Sequence, residues 1–101
     1  MTRLRIEVDR ARIGEFCRKW QIVEFALFGS VLREDFGPES DVDVLVVFAP
    51  GAGHGLFELA RMEEELASIF GRKVDLVERG AVRNPFRRRA ILSNLLVLYA
   101  A

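Results

Sequence analysis

The stretch FALFGSVLREDFGPESDVDVLVVF, residues 25–48, sets two apolar runs around a Gly-Ser pair and three aspartates. The run IVEFALF, residues 22–28, is rich in β-branched and aromatic side chains and has the length of a buried strand. VDVLVVF, residues 42–48, is a second strand, apolar on both faces after its first residues, so helices must cover most of both faces of its sheet. Between the two, Gly29 ends the first strand, SVLRED suits a short helix or turn, and GPES breaks the chain again. Asp41 and Asp43 therefore stand at the mouth of a hydrophobic strand, on one face and about 7 Å apart. Two carboxylates aimed at one spot repel each other and resist burial unless a cation or a proton lies between them.

Asp75 is the natural third member, because it interrupts KVDLV, residues 73–77, which is otherwise an apolar third strand. The chain has five aspartates, and placing three of them on strands runs against their propensity, which points to a site. Mg²⁺ suits such a set, since it takes oxygen ligands and keeps open positions for phosphate oxygens and water. Gly29 permits close backbone approach, and Ser30, opening a helical turn, can offer its hydroxyl and N–H to a phosphate. Arg33 fits either a phosphate oxygen or an ion pair with Glu34, Asp35 or Glu39.

The remaining elements alternate around these strands. Asp9 caps a helix whose apolar residues Ile13, Phe16, Cys17 and Trp20 recur at helical spacing, so Cys17 reads as core. APGAGHG, residues 49–55, is a loop, followed by a long helix with Leu56, Leu59, Ala60, Leu66, Ala67, Ile69 and Phe70 on one face and Gly71 as its stop. Glu63 to Glu65 read as solvent-facing. Asn84 and Pro85 open a further helix, PFRRRAILSNL, and VLYA near the end adds an edge strand. This is an α/β (α+β) layer pattern, without internal repeats.

With 101 residues, half of them apolar, the sequence has room for one small core and is expected to form a single domain over 1–101, without a separate substrate-binding domain. Fifteen Lys and Arg balance 15 Asp and Glu, so no global positive field exists and direct nucleic-acid binding is not expected. The C-terminal third is nevertheless basic: Arg72, Lys73, Arg79, Arg83, Arg87, Arg88 and Arg89 face only Asp75 and Glu78 there. One cysteine cannot form an internal disulfide. The opening MTRLRIEVDR lacks a signal-peptide core, and no apolar run is long enough to span a membrane, so the expected location is cytoplasmic. His54 is the single histidine, in a Gly-rich loop, which excludes a histidine zinc site and gives it no role.

GSVLREDFGPESDVDVLV resembles the signature of the polymerase β-type nucleotidyltransferases, in which Gly-Ser follows one strand and Asp-x-Asp opens the next. It is most similar to the minimal nucleotidyltransferase (MNT) antitoxins, on Gly29, Ser30, Arg33, Asp35, Ser40, Asp41 and Asp43. The resemblance continues through VDLV and NPFRRRAILSN. It implies a mixed sheet of about four strands with helices packed on it. It also implies an Mg²⁺-dependent enzyme: Asp41, Asp43 and Asp75 would hold two ions and carry the chemistry. Gly29, Ser30, Arg33 and Ser40 would bind ATP. The implied reaction transfers AMP to a tyrosine of a partner HEPN-domain ribonuclease toxin, with Arg87 to Arg89 suited to docking an acidic face of that partner. Two alternatives remain at this point: a non-catalytic antitoxin acting by contact, and a small-molecule nucleotidyltransferase, which would need acceptor surface that this chain gains only as a homodimer.

Overall fold

The computed structural model describes residues 6–33, 36, 37 and 39–101. Its first helix, α1 (Arg10–Lys19), begins where the Asp9 side chain accepts a hydrogen bond from the Arg12 N–H at 3.1 Å, satisfying an orphan amide of the first turn. Ile13, Phe16 and Cys17 form its buried stripe, as the spacing predicts. Burial pushes the Cys17 thiol up to about 12 against a smaller opposing pull from Arg18, so it is a core residue and not a nucleophile.

The chain continues as β1 (Ile22–Phe28), a 3₁₀ turn (Gly29–Leu32), β2 (Val42–Phe48), α2 (Leu56–Phe70), β3 (Val74–Glu78), a second 3₁₀ turn (Arg79–Ala81), α3 (Pro85–Leu92) and β4 (Leu96–Ala100). The sheet order is β3-β2-β1-β4. β1 runs antiparallel to β2 and β4, whereas β2 and β3 are parallel. A parallel pair needs a crossover, which α2 supplies. The result is the expected mixed four-stranded α+β sheet.

β2 has the expected bounds, but Asp41, expected at a strand position, lies one residue ahead of it and is not a strand residue. Three other elements differ in their bounds. β3 starts and ends one residue later than KVDLV. α3 stops at Leu92, because Ser93 caps it, donating its N–H to the Arg89 carbonyl and its hydroxyl to the Ala90 carbonyl, and β4 begins at Leu96, one residue ahead of VLYA.

Strand alternation gives the sheet two unlike faces. On one, Phe25 and Leu27 of β1, Val42, Val44 and Val46 of β2 and Val74 of β3 join Ile13, Phe16 and Cys17 of α1 and Met62, Leu66 and Phe70 of α2 in the main core. On the other, Phe28 and Leu45 meet Val82 and Ile91 in a cluster of four. Both faces are covered, as β2 requires, but the second only by short α3 and its approach. The α2 stripe starts at Leu59 and passes through Met62, Leu66, Ile69 and Phe70. Its first turn stands clear of the core: Leu56 is 85% exposed, and Ala60 also faces solvent, against the face assigned from sequence.

The acidic run on α2 likewise corrects its reading as a solvated face. Only Glu64 is exposed. Glu63 accepts the Leu76 N–H at 3.0 Å, closing an amide of edge strand β3. Glu65 accepts the Trp20 indole N–H at 2.7 Å and pairs with Lys19. His54, too, has work in the fold: its Nε2 lies 2.8 Å from the Trp20 carbonyl and its ring packs against Trp20 and Phe48, fastening the Gly-rich loop to the end of α1. Gly71 takes the left-handed conformation, φ +69°, that ends α2.

Candidate active site

The second face carries the carboxylates. In the parallel ladder Asp43 of β2 is the Cα partner of Asp75 of β3, and in the antiparallel ladder it is the partner of Phe28. Register alone therefore brings two acids, far apart in sequence, side by side at the end of the sheet where β1 stops and β2 and β3 begin. Asp41 precedes them at the mouth of β2, half-buried like Asp43, while Asp75 is exposed.

Gly29 makes the approach to this end possible. Its φ of +73° is left-handed, and a Cβ there would overlap the Asp43 carboxylate, lying 3.2 Å from its Cγ. The position thus requires glycine on both conformational and steric grounds. Ser30 follows: its N–H donates to the Asp43 carboxylate, and its hydroxyl is 3.5 Å from the Asp41 carbonyl. One serine so ties the 3₁₀ turn to both acids.

Burial raises the Asp43 carboxyl above its usual range, and the negative charge of Asp75, then that of Asp41, adds to the shift. The Ser30 hydrogen bond and the Arg33 guanidinium oppose it. Three acids whose charges act on one another are a site that a cation would relieve. Among the described residues, no group of three or more His, Cys, Asp or Glu side chains is placed to hold a metal ion. Asp41 and Asp43 are oxygen donors of the kind Mg²⁺ takes, an ion that completes its shell with phosphate oxygens and water.

Arg72, to which sequence reading gave only a share in a basic tail, holds the loop that delivers Asp41. Its Nη1 donates to the Gly37 carbonyl at 2.8 Å and to the Ser40 carbonyl at 3.1 Å, and its guanidinium lies 4.3 Å from the centre of the buried Phe36 ring. Ser40 closes the same loop, its hydroxyl accepting the Gly37 N–H at 3.1 Å. The Val42 N–H then donates to the Lys73 carbonyl at 2.9 Å, so the strand openings carrying Asp41 and Asp75 are bonded to each other. Asp35, part of the resemblance, and Glu34 lie outside the described residues. No sequence signal marks Arg72, since its targets are backbone carbonyls more than 30 positions away.

Beside Gly29 is a cleft of about 210 Å³, with Phe28 and Ile91 among its apolar lining and Arg33, Arg87 and Asn94 around it. The arginine run splits accordingly. Arg88 turns inward and donates to the Arg79 and Val82 carbonyls at 3.2 and 3.5 Å, whereas Arg87 and Arg89 are exposed, and of the three only Arg87 lines the cleft.

The geometry agrees with what comparison with known proteins finds. Residues 11–98 match the family model described as nucleotidyltransferase domain. The chain is 33% identical over 78 residues, 77% of this chain and 78% of the relative, to MJ0128 of Methanocaldococcus jannaschii, named as a candidate protein adenylyltransferase. It is 31% identical over 70 residues, 69% of each protein, to the protein adenylyltransferase MntA of Thermococcus cleftensis. Among solved structures, a candidate minimal nucleotidyltransferase aligns with TM-score 0.69 and 30% identity, covering 86% of both chains. A toxin–antitoxin complex with AMP-PNP aligns with TM-score 0.74 at 20% identity, over 93% of this chain and 75% of that one. A tri-AMPylated Shewanella oneidensis HEPN toxin in complex with its MNT antitoxin aligns with TM-score 0.65 at 20% identity, over 91% and 70%. With its Gly-Ser turn, its Asp-x-Asp strand mouth and a family match along most of its length, the chain belongs to the nucleotidyltransferase domain family, among the relatives of the protein adenylyltransferases.

Proposed function

We propose that this protein is the antitoxin of a toxin–antitoxin pair and silences a HEPN-domain ribonuclease by transferring AMP from ATP to a tyrosine hydroxyl of that partner. The observation that carries the reading is the row formed by Asp75, Asp43 with Asp41, and Gly29 along one end of the sheet. It sets charged oxygen donors beside a stretch of backbone with no side chain in the way. Relatives named protein adenylyltransferases support the reaction class, and the complex of an MNT antitoxin with an AMPylated HEPN toxin supports the acceptor.

In this reading Asp41 and Asp43 hold Mg²⁺, two ions in all, with Asp75 completing the ligand set or taking the acceptor's proton. Bound there, Mg²⁺ would lower the pKa of the attacking hydroxyl and offset charge developing at phosphorus. Gly29 admits the phosphate chain, Ser30 offers it a hydroxyl, and Arg33 pairs with a phosphate oxygen. Ser40 belongs to the nucleotide site through the loop it closes ahead of Asp41.

The test is to incubate the protein with ATP, Mg²⁺ and its cognate helical partner and to follow the partner by intact mass. A gain of one or more adenylyl masses on tyrosine, lost with Asp41→Asn plus Asp43→Asn, is expected. An unchanged partner that the double variant still neutralises would establish contact-only inhibition. Adenylyl transfer to a small hydroxylated acceptor, with none to the partner, would establish a small-molecule enzyme.

A further inference from the structure

We infer that the outer side of α3 is the surface on which the acceptor protein docks. Phe86 is the anchor, Arg83 and Arg89 flank it, and the feature they fit on the partner is an apolar recess rimmed by carboxylates. The inference rests on the AMP-transfer reading and gives it an acceptor surface. It narrows the docking role suggested by the run Arg87 to Arg89 to one arginine of the three, and adds two residues outside that run.

Charge at the end of the chain is one-sided. From Arg79 to Ala101 there are five of the 15 Lys and Arg residues and no Asp or Glu, so the rest of a neutral chain is net acidic. Folding then sorts those five arginines. Arg79 lies 4.0 Å from Glu24, Arg88 donates to backbone carbonyls, and Arg87 lines the cleft beside Gly29. Arg83 and Arg89 are exposed and have no acidic partner among the described residues. Two such guanidinium groups on a segment without acids complement a surface of the opposite sign.

Phe86 stands between them in the sequence and is 85% exposed. A single exposed apolar residue is ordinary, but this one is also held still. Pro85 fixes the first helical φ, and the Asn84 side chain accepts the Phe86 and Arg87 N–H groups at 3.0 and 3.1 Å. Arg88 and buried Ile91 fasten the following turns to the fold. An aromatic ring on backbone that is already ordered gives up little further freedom when a partner covers it. Aromatic and arginine side chains are also the residues in which the strongest contacts of protein interfaces are enriched.

Position ties this surface to the chemistry. Residues three and four apart are neighbours on a helix, so Phe86 adjoins Arg89 and Ala90, and exposed Ala90 lines the same cleft as Gly29. The Gly29 backbone in turn abuts the Asp43 carboxylate. A protein seated on Phe86 and Arg89 therefore meets the rim of a cleft that borders the candidate site. The other strongly exposed apolar pair, Leu56 and Phe57, opens α2, which covers the opposite face of the sheet. A single-stranded nucleic acid is the poorer match, because stacking successive bases takes several aromatic platforms and α3 has one.

The test measures binding of the purified HEPN-domain partner to the full chain by calorimetry, beside the kinetics of transfer with Mg²⁺ and ATP. Phe86→Ala is expected to weaken partner binding about tenfold or more and to raise KM for the partner by a like factor. Its kcat, ATP binding and thermal melt should match wild type, and Phe86→Leu should recover part of the loss. Arg83→Ala with Arg89→Ala should weaken binding less and make it less sensitive to salt. Leu56→Ala with Phe57→Ala should leave partner binding unchanged. Wild-type partner affinity in Phe86→Ala would overturn the inference while transfer itself stands, as would a loss confined to the Leu56 and Phe57 variant. Binding of a single-stranded RNA oligonucleotide that Phe86→Ala abolishes, with partner affinity untouched, would make α3 a nucleic-acid surface and overturn it too. Partner binding that depends on Phe86 in a protein that transfers no AMP would support the docking surface and refute the enzyme reading. Wild-type protein that neither binds nor modifies the partner would remove both.

Discussion

The two faces of the sheet are built from the same strands and hold opposite kinds of group. Under α1 and α2, Ile13, Phe25, Leu27, Val44, Val46, Met62 and Leu66 are completely inaccessible. Under α3, the cluster of Phe28, Leu45, Val82 and Ile91 gives way at the sheet's end to acids and arginines. Alternation along β2 separates the two sets: Val42, Val44 and Val46 point one way, Asp43 and Leu45 the other. One face supplies the burial that stabilises the domain, which leaves the other free to hold groups that burial and mutual charge disfavour. Substitutions on the two faces should therefore fail in different ways.

The largest expected effect lies on the α3 face. Asp41→Asn with Asp43→Asn should lower transfer by about 10²- to 10⁴-fold, the range for groups acting directly on a reacting proton or charge. In metal-free buffer the same variant should melt at or above the wild-type temperature, because it removes charge that burial and Asp75 already oppose at Asp43. A double variant that unfolds would show the carboxylates to be structural and erase the contrast between the faces. Asp75→Asn, exposed at the edge strand, should likewise keep its melt while transfer falls by about 10²-fold.

On the other face the pattern reverses. Leu66→Ala removes a fully buried side chain from the middle of the main core and should cost about 2–5 kcal/mol of stability, set by how far the cavity collapses. Urea unfolding monitored by circular dichroism reads it directly. Transfer by the folded fraction should stay near the wild-type value. A loss of activity larger than the loss of folded protein would mean that the α2 face is coupled to the site.

How well the sequence could be read differs along the same division. β1, β2 and α2 have the boundaries that composition and breakers indicate, because buried strands and a long helix leave strong local patterns. Gly29, Ser30, Asp41, Asp43 and Asp75 stand out in the sequence because glycine and aspartate at strand ends contradict propensity, and the structure brings them to one end of the sheet. Arg72 does not, because it lies in a basic stretch and only tertiary folding brings it to the Gly37 and Ser40 carbonyls. Glu63 and Glu65 resemble solvated helix positions because their partners, the Leu76 amide and the Trp20 indole, are far away in sequence. The apolar start of α2 misled in the other direction: Leu56 and Phe57 fit the helix but extend past the core they would need to reach.

Arg72 joins the comparison at its edge, since it leaves the end of α2 and supports the loop serving the α3 face. Arg72→Met keeps the stem that packs on Phe36 and deletes the hydrogen bonds to Gly37 and Ser40. Charge-assisted bonds of this kind are worth about 1.5–3 kcal/mol each before exposure is discounted. The expected result is a melt lowered slightly and an Mn²⁺ activation midpoint raised about tenfold, with Arg72→Lys recovering part of it. A lowered melt with an unchanged metal midpoint would make Arg72 a fold residue only.

The smallest effect sharpens the account of the α1–α2 face. Burial alone would raise the Glu65 carboxyl, but the hydrogen bonds from Lys19 and Trp20, with the charges of Lys19 and Arg61, outweigh it and hold the group below its ordinary value of 4.5. A carboxyl depressed in the folded state contributes stability that is fully present above that ordinary value and is lost as pH falls through the lower folded value. Wild-type stability should therefore fall on the acid side of 4.5, by less than about 1 kcal/mol for so exposed a pair. Glu65→Gln keeps an acceptor for the Trp20 indole but cannot titrate, so its stability should be flatter across that window and nearly equal to wild type below it. Thermal melts from neutral pH down through the acid range measure the difference. Parallel curves for the two proteins would show that the Lys19–Glu65–Trp20 contact does not couple α1 to α2, leaving the apolar stripe of Met62 and Leu66 to hold the second helix in place.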